Sequence, residues 1–339
     1  MTILPGPCHS QWDRLANLSG TIFATRDWSE CWWQHFGHGA TPAVLTDDET
    51  DPKVILPLYQ SGRLVRQVRF IGHGPSDQLG PVCAPQHHGQ AGEMLRELAE
   101  DLSFRWDVMV LHDIPVDAAW VPRNASEIRR RASPVVRFEA STWEEFLAAK
   151  TQHFRKHVRR GFARLERDFQ VVCRLATRET VATDLDTLFR LHTRRWGPDA
   201  PFACGAQRRF HEDFAAVALD RGWLRLWILE LDGTPAAALY GFRFAGADYF
   251  HQGGWDPAFD RYSIGFLLCV RAMRAALEDA MSEFRLLRGD EQYKGRLANA
   301  DRPVRSVAVA SGTRGRLAIK AAQKQILNSL PILSMFRPF

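Results

Sequence analysis

Apolar residues at Phe154, Val158, Phe162, Leu165 and Phe169 recur on one helical face, and the positions between them are largely cationic. This spacing predicts a helix over 154–169 with a buried stripe and a basic outer side. A shorter apolar pattern predicts a helix over 143–149 just before it, and another covers 184–196 after the strand-like run 171–175. Largely apolar runs at 224–231 and 235–244 flank Asp232-Gly233, the signature of a hairpin closed by a type I′ turn. Then come a strand at Tyr249–Gln252, a turn at Arg261–Gly265, a helix over 266–281, a strand at 284–287 and a last strand at 304–310.

The first half of the chain carries the same order. A tryptophan-rich helix around 28–36 precedes two apolar runs, 43–45 and 54–59, separated by the acidic turn 47–51. Val68–Ile71, the Gly/Pro-rich loop 72–77, a helix near 90–102 and the strand 108–111 follow. An order that occurs twice implies a tandem duplication of one mixed α/β (α+β) fold, with the boundary in the charged, weakly patterned segment 122–134. The expected division is residues 1–133, residues 134–312 and a basic amphipathic tail over 313–339.

A length of 339 residues, with 45% hydrophobic and 24% charged residues, agrees with two ordinary globular domains. No window is apolar enough for a membrane span, and the start Met1–Pro7 lacks the build of a signal peptide, so a cytoplasmic protein is expected. The six cysteines are scattered singly, which signals neither disulfides nor zinc. His211 with Glu212 and the pair His87-His88 lack a third ligand at useful spacing, so no metal is expected. A net charge of +5 favours an anionic partner such as a nucleotide, a nucleic acid or a membrane surface.

The chemistry concentrates late in the chain. Arg261, Tyr262, Ser263, Ile264, Gly265 and Phe266 lie between an aromatic strand and a helix, where free backbone N–H groups and an arginine form an anion site suited to a pyrophosphate. Past the helix, Arg288-Gly289-Asp290-Glu291-Gln292-Tyr293-Lys294 follows a strand end. Asp290 and Glu291 are candidate bases there, with helix capping the plainer role for Asp290. His251 can relay protons or simply pack in its strand. The cations of 150–167, Arg155 among them, either track a phosphate backbone or form a solvated face. Asp77 either holds a polar group of an acceptor or makes an Asx turn. Trp28, Trp32 and Trp33 read as packing, and the tail as a segment that packs on the protein or lies on an anionic membrane.

Taken together, the tryptophan helix with its Trp-x-x-x-Trp-Trp, Leu56-Pro57-Leu58, Gly72…Ser76-Asp77, the helix Arg155–Arg167, Gly254…Asp256…Ser263-x-Gly265-x-Leu267-Leu268 and Gly289-x-x-x-Tyr293-Lys294 resemble the GNAT-like acyltransferases of the CelD/BcsL type. These are relatives of the Fem peptidyltransferases, which also carry two GNAT-like domains. The resemblance implies two tandem domains, each a mostly antiparallel sheet flanked by helices, and transfer of an acyl group to an amine acceptor, a small molecule or an envelope precursor. The implied donor is acyl-CoA, or aminoacyl-tRNA as in the Fem branch; a non-catalytic accessory role in polysaccharide assembly is the third reading. It also implies Lys294 at the developing charge, with Tyr293, Arg155 and Asp77 contacting substrate. The family's pyrophosphate signature is imperfect here, because the glycine stands one position late at Gly265 and the second small residue is missing. The corresponding loop of the first half, 77–85, contains two prolines without N–H groups, so that half is expected to be a structural or acceptor-binding copy.

Overall fold

The computed structural model describes residues 4–197, 200, 202 and 204–328, with side chains to residue 321. Two compact units divide it: residues 1–131 with 302–339, and residues 132–301.

The first unit contains α1 (His9–Ser19), α2 (Arg26–Phe36), β1 (Thr41–Thr46), β2 (Val54–Ser61), β3 (Gln67–Phe70), β4 (Val82–Cys83), α3 (His88–Glu100), β5 (Val108–Pro115) and β6 (Ser126–Arg131). The second contains β7 (Pro134–Arg137), α4 (Trp143–Ala149), α5 (Gln152–Asp168), β8 (Val171–Leu175), α6 (Val181–Trp196), α7 (Gly205–Asp220), β9 (Leu224–Leu231), β10 (Thr234–Phe244), β11 (Ala247–Trp255), α8 (Ile264–Glu278), β12 (Glu283–Arg285), α9 (Gln292–Leu297) and β13 (Ala300–Asp301). The chain then returns to the first unit with β14 (Val304–Ala310) and α10 (Gly312–Asn328).

Each unit has one sheet. The first runs β1-β2-β3-β5-β14-β6 with β4 beside β2, and the second runs β13-β7-β12-β11-β10-β9-β8. All pairings are antiparallel except β3 with β5 and β11 with β12. A helix, α3 or α8, makes the crossover that each parallel pair requires. The fold is therefore a mixed α/β architecture of two mostly antiparallel sheets flanked by helices.

Local chemistry explains the elements that hold the second unit. Asp232 and Gly233 both have positive φ (50° and 76°), which is the type I′ turn expected between β9 and β10. Ala245 and Gly246 repeat that geometry between β10 and β11 (48° and 77°), although nothing but the glycine announces it. Thr142 and Glu145 form a capping box at α4, and Thr151 caps α5. The stripe read from α5 is buried at Phe154, Val158 and Leu165, facing α8, whose Leu267, Leu268, Val270, Met273 and Leu277 fill the core over the sheet.

One expectation about the chain's end is corrected. Val304–Ala310 is not the last strand of the second unit: it pairs with β5 and β6, because Val307 and Val309 complete the core of the first sheet. The start of the tail packs on the first unit, the plainer of its two readings. Ala318 and Ile319 on α10 pack against Val108, Val110 and Ala308, and the α10 backbone lies so close to the Asp107 carbonyl that a Cβ on Gly315 would stand 2.0 Å from that oxygen. Leu317 is exposed, and the tail's side chains beyond Ala321 and its residues beyond Asn328 lie outside what the structure describes.

Candidate functional site

The ladder between β11 and β12 holds only from Ala247↔Glu283 to Tyr249↔Arg285. Beyond it β11 continues to Trp255, while the other chain turns away through Leu287 (φ 58°) and Gly289 (φ 133°) into α9. His251 is the extra residue of a bulge opposite Tyr240 and Gly241. A crevice at the C-terminal end of two parting parallel strands is where the first turn of the crossover helix presents its free amides.

That turn is built as follows. Asp256 caps a short 3-10 turn, Pro257–Tyr262, by accepting from the Ala258 N–H at 3.1 Å, and Arg194 of α6 ion-pairs with the same carboxylate. Ser263 adopts the left-handed conformation (φ 56°) and α8 begins at Ile264, two residues before the start read from the sequence. Arg261 donates to the Tyr262 hydroxyl at 3.0 Å, which donates to Asp168 at 2.9 Å. The guanidiniums of Arg261 and Arg164 lie over the Tyr262 ring, 4.8 and 4.5 Å from its centre. Ile264 is buried, Gly265 rests on Trp255, where a Cβ would meet the indole at 2.5 Å, and Phe266 packs on Phe154 and His157.

Between α5 and this helix tip lies a cavity of about 260 Å³, lined by His153, Lys156, His157, Arg160, Arg164 and Arg261 with Tyr262 and Ser263. Among the described residues, Lys156, Arg160, Arg164 and Arg261 make no ion pair, although the Asp168 carboxylate lies in the field of Arg164 and is linked to Arg261 through the Tyr262 hydroxyl. Unpaired cations around a helix N-terminus form a well for phosphate. Arg261, Tyr262 and Ser263 thus share a cavity with the basic face of α5, whose charge the sequence displayed without its destination. Arg155 does not line this cavity: it donates to the carbonyls of Ala148 (2.9 Å) and Lys150 (2.7 Å), closing the end of α4.

Lys294 is buried, and its ammonium is shared among Arg288 O at 2.6 Å, Leu287 O at 3.4 Å and Glu291 Oε2 at 3.0 Å. Two of its donors are thereby committed to the turn that follows β12, while Glu291 Oε2 is an ion-pair partner that accepts no hydrogen bond. Glu291 precedes the first turn of α9 with its side chain 40% exposed, while Asp290 is fully on the surface and caps nothing. Gly289 leaves the space for this arrangement, since a Cβ there would stand 2.1 Å from Glu291 Oε2 and 2.7 Å from Lys294 Nζ. Burial, helped by Cys269 and Glu291 nearby, raises the Tyr293 pKa and keeps the phenol protonated. Burial likewise pushes the Cys269 thiol up to about 12, with Lys294 opposing.

Three residues of this region escaped the sequence reading. Arg195, at the end of α6, is stacked 3.6 Å from the Trp255 ring centre and 4.3 Å from that of Trp196. Burial lowers its pKa, and Tyr293, Glu291 and Asp260 oppose that shift, so the guanidinium sits in their field. Trp255 is held in turn by Asp260, which accepts from its indole N–H at 2.8 Å. His192 lies one turn back on α6 against the backbone of Gly254, where a Cβ would meet its amide nitrogen at 2.4 Å. These contacts join positions some sixty residues apart, and no local pattern marks them.

His192 is buried, Nδ1 has no hydrogen-bond partner, and burial followed by the Arg195 charge lowers its pKa to about 4. Because the folded value lies below the ordinary 6.5, the associated stability is complete above that pH and is lost as the pH falls toward 4. Urea unfolding across this window is expected to show a loss approaching roughly 3 kcal/mol from this side chain. His192→Phe should flatten that part of the profile.

In the first unit the corresponding crevice is closed differently. Trp28 and Trp32 are buried and donate to Ser76 Oγ (2.8 Å) and His73 O (2.9 Å), fixing the loop that carries buried Asp77. Where the second unit has a helix tip, β4 and a 3-10 turn starting at Pro85 intervene before α3. Among the described residues no group of three or more His, Cys, Asp or Glu gathers as metal ligands would, and no helix is long and apolar enough to cross a membrane.

Residues 152–295, from α5 to α9 and so including the cation-lined cavity and Lys294, match the family model described as Acetyltransferase (GNAT) domain. Among solved structures, FemX is similar over 93% of this chain and 98% of its own, with a TM-score of 0.65 at 9% identity. The C-terminal domain of a putative lysylphosphatidylglycerol synthetase from Agrobacterium fabrum is similar over 93% and 95%, with a TM-score of 0.59 at 13% identity. L-PGS from Bacillus licheniformis is similar over 89% and 97%, with a TM-score of 0.56 at 12% identity. At these identities the likeness is one of fold, and it extends over both units. No curated protein sequence matches the chain.

Proposed function

We propose that the chain is an N-acyltransferase that moves an acyl group from acyl-CoA to an amine, with the second unit holding donor and chemistry. The observation that carries this reading is the cavity at the first turn of α8, walled by Lys156, Arg160, Arg164 and Arg261. It suits the pyrophosphate of a donor whose thioester then runs along the crevice between β11 and β12. The acceptor nitrogen attacks the carbonyl carbon, the carbon–sulfur bond breaks, and the ammonium proton passes to Glu291 directly or through water. Tyr293, kept protonated by burial, donates a hydrogen bond to the departing thiolate, which takes up the proton that Glu291 received, directly or through water. Lys294 acts here as a positioning residue, hydrogen-bonded to the turn and ion-paired with Glu291.

Calorimetric titration with acetyl-CoA tests the donor. Binding is expected in the wild type, and the double reversal Arg160→Glu with Arg261→Glu should weaken it about a hundredfold. Unchanged affinity in a folded double variant, or no binding to wild type by acetyl-CoA or longer acyl-CoA esters, would refute the assignment.

A second reading, an aminoacyl-tRNA donor, is favoured by exposed Lys156, Arg159 and Arg160, which make no ion pair among the described residues and exceed what one pyrophosphate requires. It predicts retention of bulk tRNA that falls steeply between low and moderate salt. The fold likeness to FemX is compatible with either donor.

A further inference from the structure

In the first unit the ladder between β3 and β5 ends after Gln67↔Val108 and Val68↔Met109, while β5 runs on to Pro115. Where the strands part, Arg69 stands directly opposite Tyr59 of β2, which sets the two side chains on one face of the sheet about 5 Å apart at Cβ. The Tyr59 hydroxyl is hydrogen-bonded to His73 Nδ1 at 2.7 Å, and the His73 ring stacks on that of His112 with centres 5.5 Å apart. Trp32 packs on Tyr59 with ring centres 5.0 Å apart and donates to the His73 carbonyl, which fixes the loop. Strand register, a hydrogen bond and ring contact thus join side chains of β2, β3, the loop after β3, and β5.

Arg69 brings to this cluster a charge that nothing answers. It is half-buried, its Nη2 donates to Gln67 two residues earlier on the same strand, and its Nε is buried without a hydrogen-bond partner. Among the described residues no carboxylate pairs with it. The groups its charge reaches are neutral: burial raises the Tyr59 phenol to about 12 with Arg69 opposing, and burial, then Arg69 and His112, hold the His73 imidazole well below its ordinary value. For the fold alone, an unpaired guanidinium beside a neutral imidazole is a cost, because its desolvation is not offset by a carboxylate. An oxyanion from outside offsets it with charge-assisted hydrogen bonds. Whichever atom donates between Tyr59 and His73, the neutral pair keeps one further N–H or O–H to offer such a ligand.

We infer that Arg69, Tyr59 and His73 form an anion receptor in the first unit, for a ligand bearing a carboxylate or a phosphate group. The guanidinium edge takes the oxyanion and the remaining donor of the tyrosine–histidine pair meets it from the side. The first unit holds no part of the proposed donor cavity, so this receptor stands apart from the donor reading.

The test follows the imidazole NMR signals of the full chain at neutral pH during titration with sodium phosphate or sodium acetate, with sodium chloride holding the ionic strength constant. His73 is assigned by the signal missing in His73→Gln. At least one anion should shift the His73 signal saturably, and Arg69→Met, which keeps an unbranched stem, should weaken that binding about tenfold or more. Arg69→Lys should retain part of it, because the ammonium lacks the bidentate fork. Saturation by phosphate alone marks a phosphoryl ligand and saturation by acetate alone a carboxylate ligand; either supports the receptor. The response should persist in Arg160→Glu with Arg261→Glu, which reverses charge at the cavity of the second unit and so separates the two sites. No saturable shift in the wild type with either anion, or unchanged binding in Arg69→Met, would overturn the inference. Urea unfolding supplies a measurement that needs no ligand: Arg69→Met should be at least as stable as the wild type, because the charge it removes has no partner. A clear loss of stability, or failure to fold, would assign the guanidinium to the fold and overturn the receptor. Acetyl-CoA titration in parallel judges the donor reading on its own, since its outcome does not bear on the His73 signal.

Discussion

Gly289→Ala is expected to reduce acyl transfer by about a hundredfold or more while donor binding stays close to wild type. The residue sits at φ 133°, a conformation that L side chains rarely adopt, so the substitution carries a backbone cost of roughly 1–3 kcal/mol before any contact is considered. The added methyl would stand 2.1 Å from Glu291 Oε2 and 2.7 Å from Lys294 Nζ. Glu291, being partly exposed, can swing away, whereas the lysine is anchored by the Leu287 and Arg288 carbonyls. The alanine therefore separates the carboxylate from its positioning partner and displaces the group assigned to take the proton. The cavity between α5 and α8 does not include this turn, so acetyl-CoA affinity should hold. Parallel measurements of turnover and donor affinity check the split. A variant that turns over normally removes Glu291 from the mechanism, and one that loses donor affinity to the same degree shows that the turn shapes the donor site instead.

What the sequence revealed, and what it withheld, follows from the range of the interactions involved. The α5 stripe and the Asp232-Gly233 turn are local patterns, and each stands in the fold as read, whereas α1, β6, β7 and α7 were not read at all. The place of β14 was not legible, because an apolar strand does not state which sheet it joins. Its partner β5 lies almost two hundred residues earlier, and the Val307 and Val309 pattern would suit either core. The first turn of α8 was misplaced by two residues because Ser263 takes a left-handed conformation with no glycine to signal it.

The site divides along the same line. Arg261 and the 289–294 run were visible as motifs, but the meaning of Gly289 as the space occupied by Glu291 and Lys294 depends on side chains meeting above it. Arg155 looked equivalent to its cationic neighbours on α5. Only the path of the chain before the helix shows that it closes α4 while Arg160 and Arg164 face the cavity. Arg195 and Trp255 belong to different elements and were invisible until the fold stacked them.

Lys294→Met should destabilise the second unit by about 2–4 kcal/mol, a larger effect than surface lysine substitutions give. Methionine fills much of the stem's volume, so the loss comes mainly from the charge and its hydrogen bonds. The carbonyls of Leu287 and Arg288 lose their donor in a buried setting, and Glu291 loses the cation 3.0 Å away. The left-handed Leu287 (φ 58°) and Gly289 beside it hold their conformations against a backbone preference, so the turn has little else to keep it in shape. Urea unfolding of Lys294→Met, Glu291→Gln and the double variant separates the contributions. The cycle is expected to return a coupling energy of about 1 kcal/mol for the partly exposed pair, with the larger remainder of the Lys294→Met loss assigned to the carbonyls. A stability equal to wild type would mean that the ammonium is not committed to the turn. Lys294 would then be free to reach a substrate oxygen, as the family resemblance implies, and its loss should appear in turnover alone.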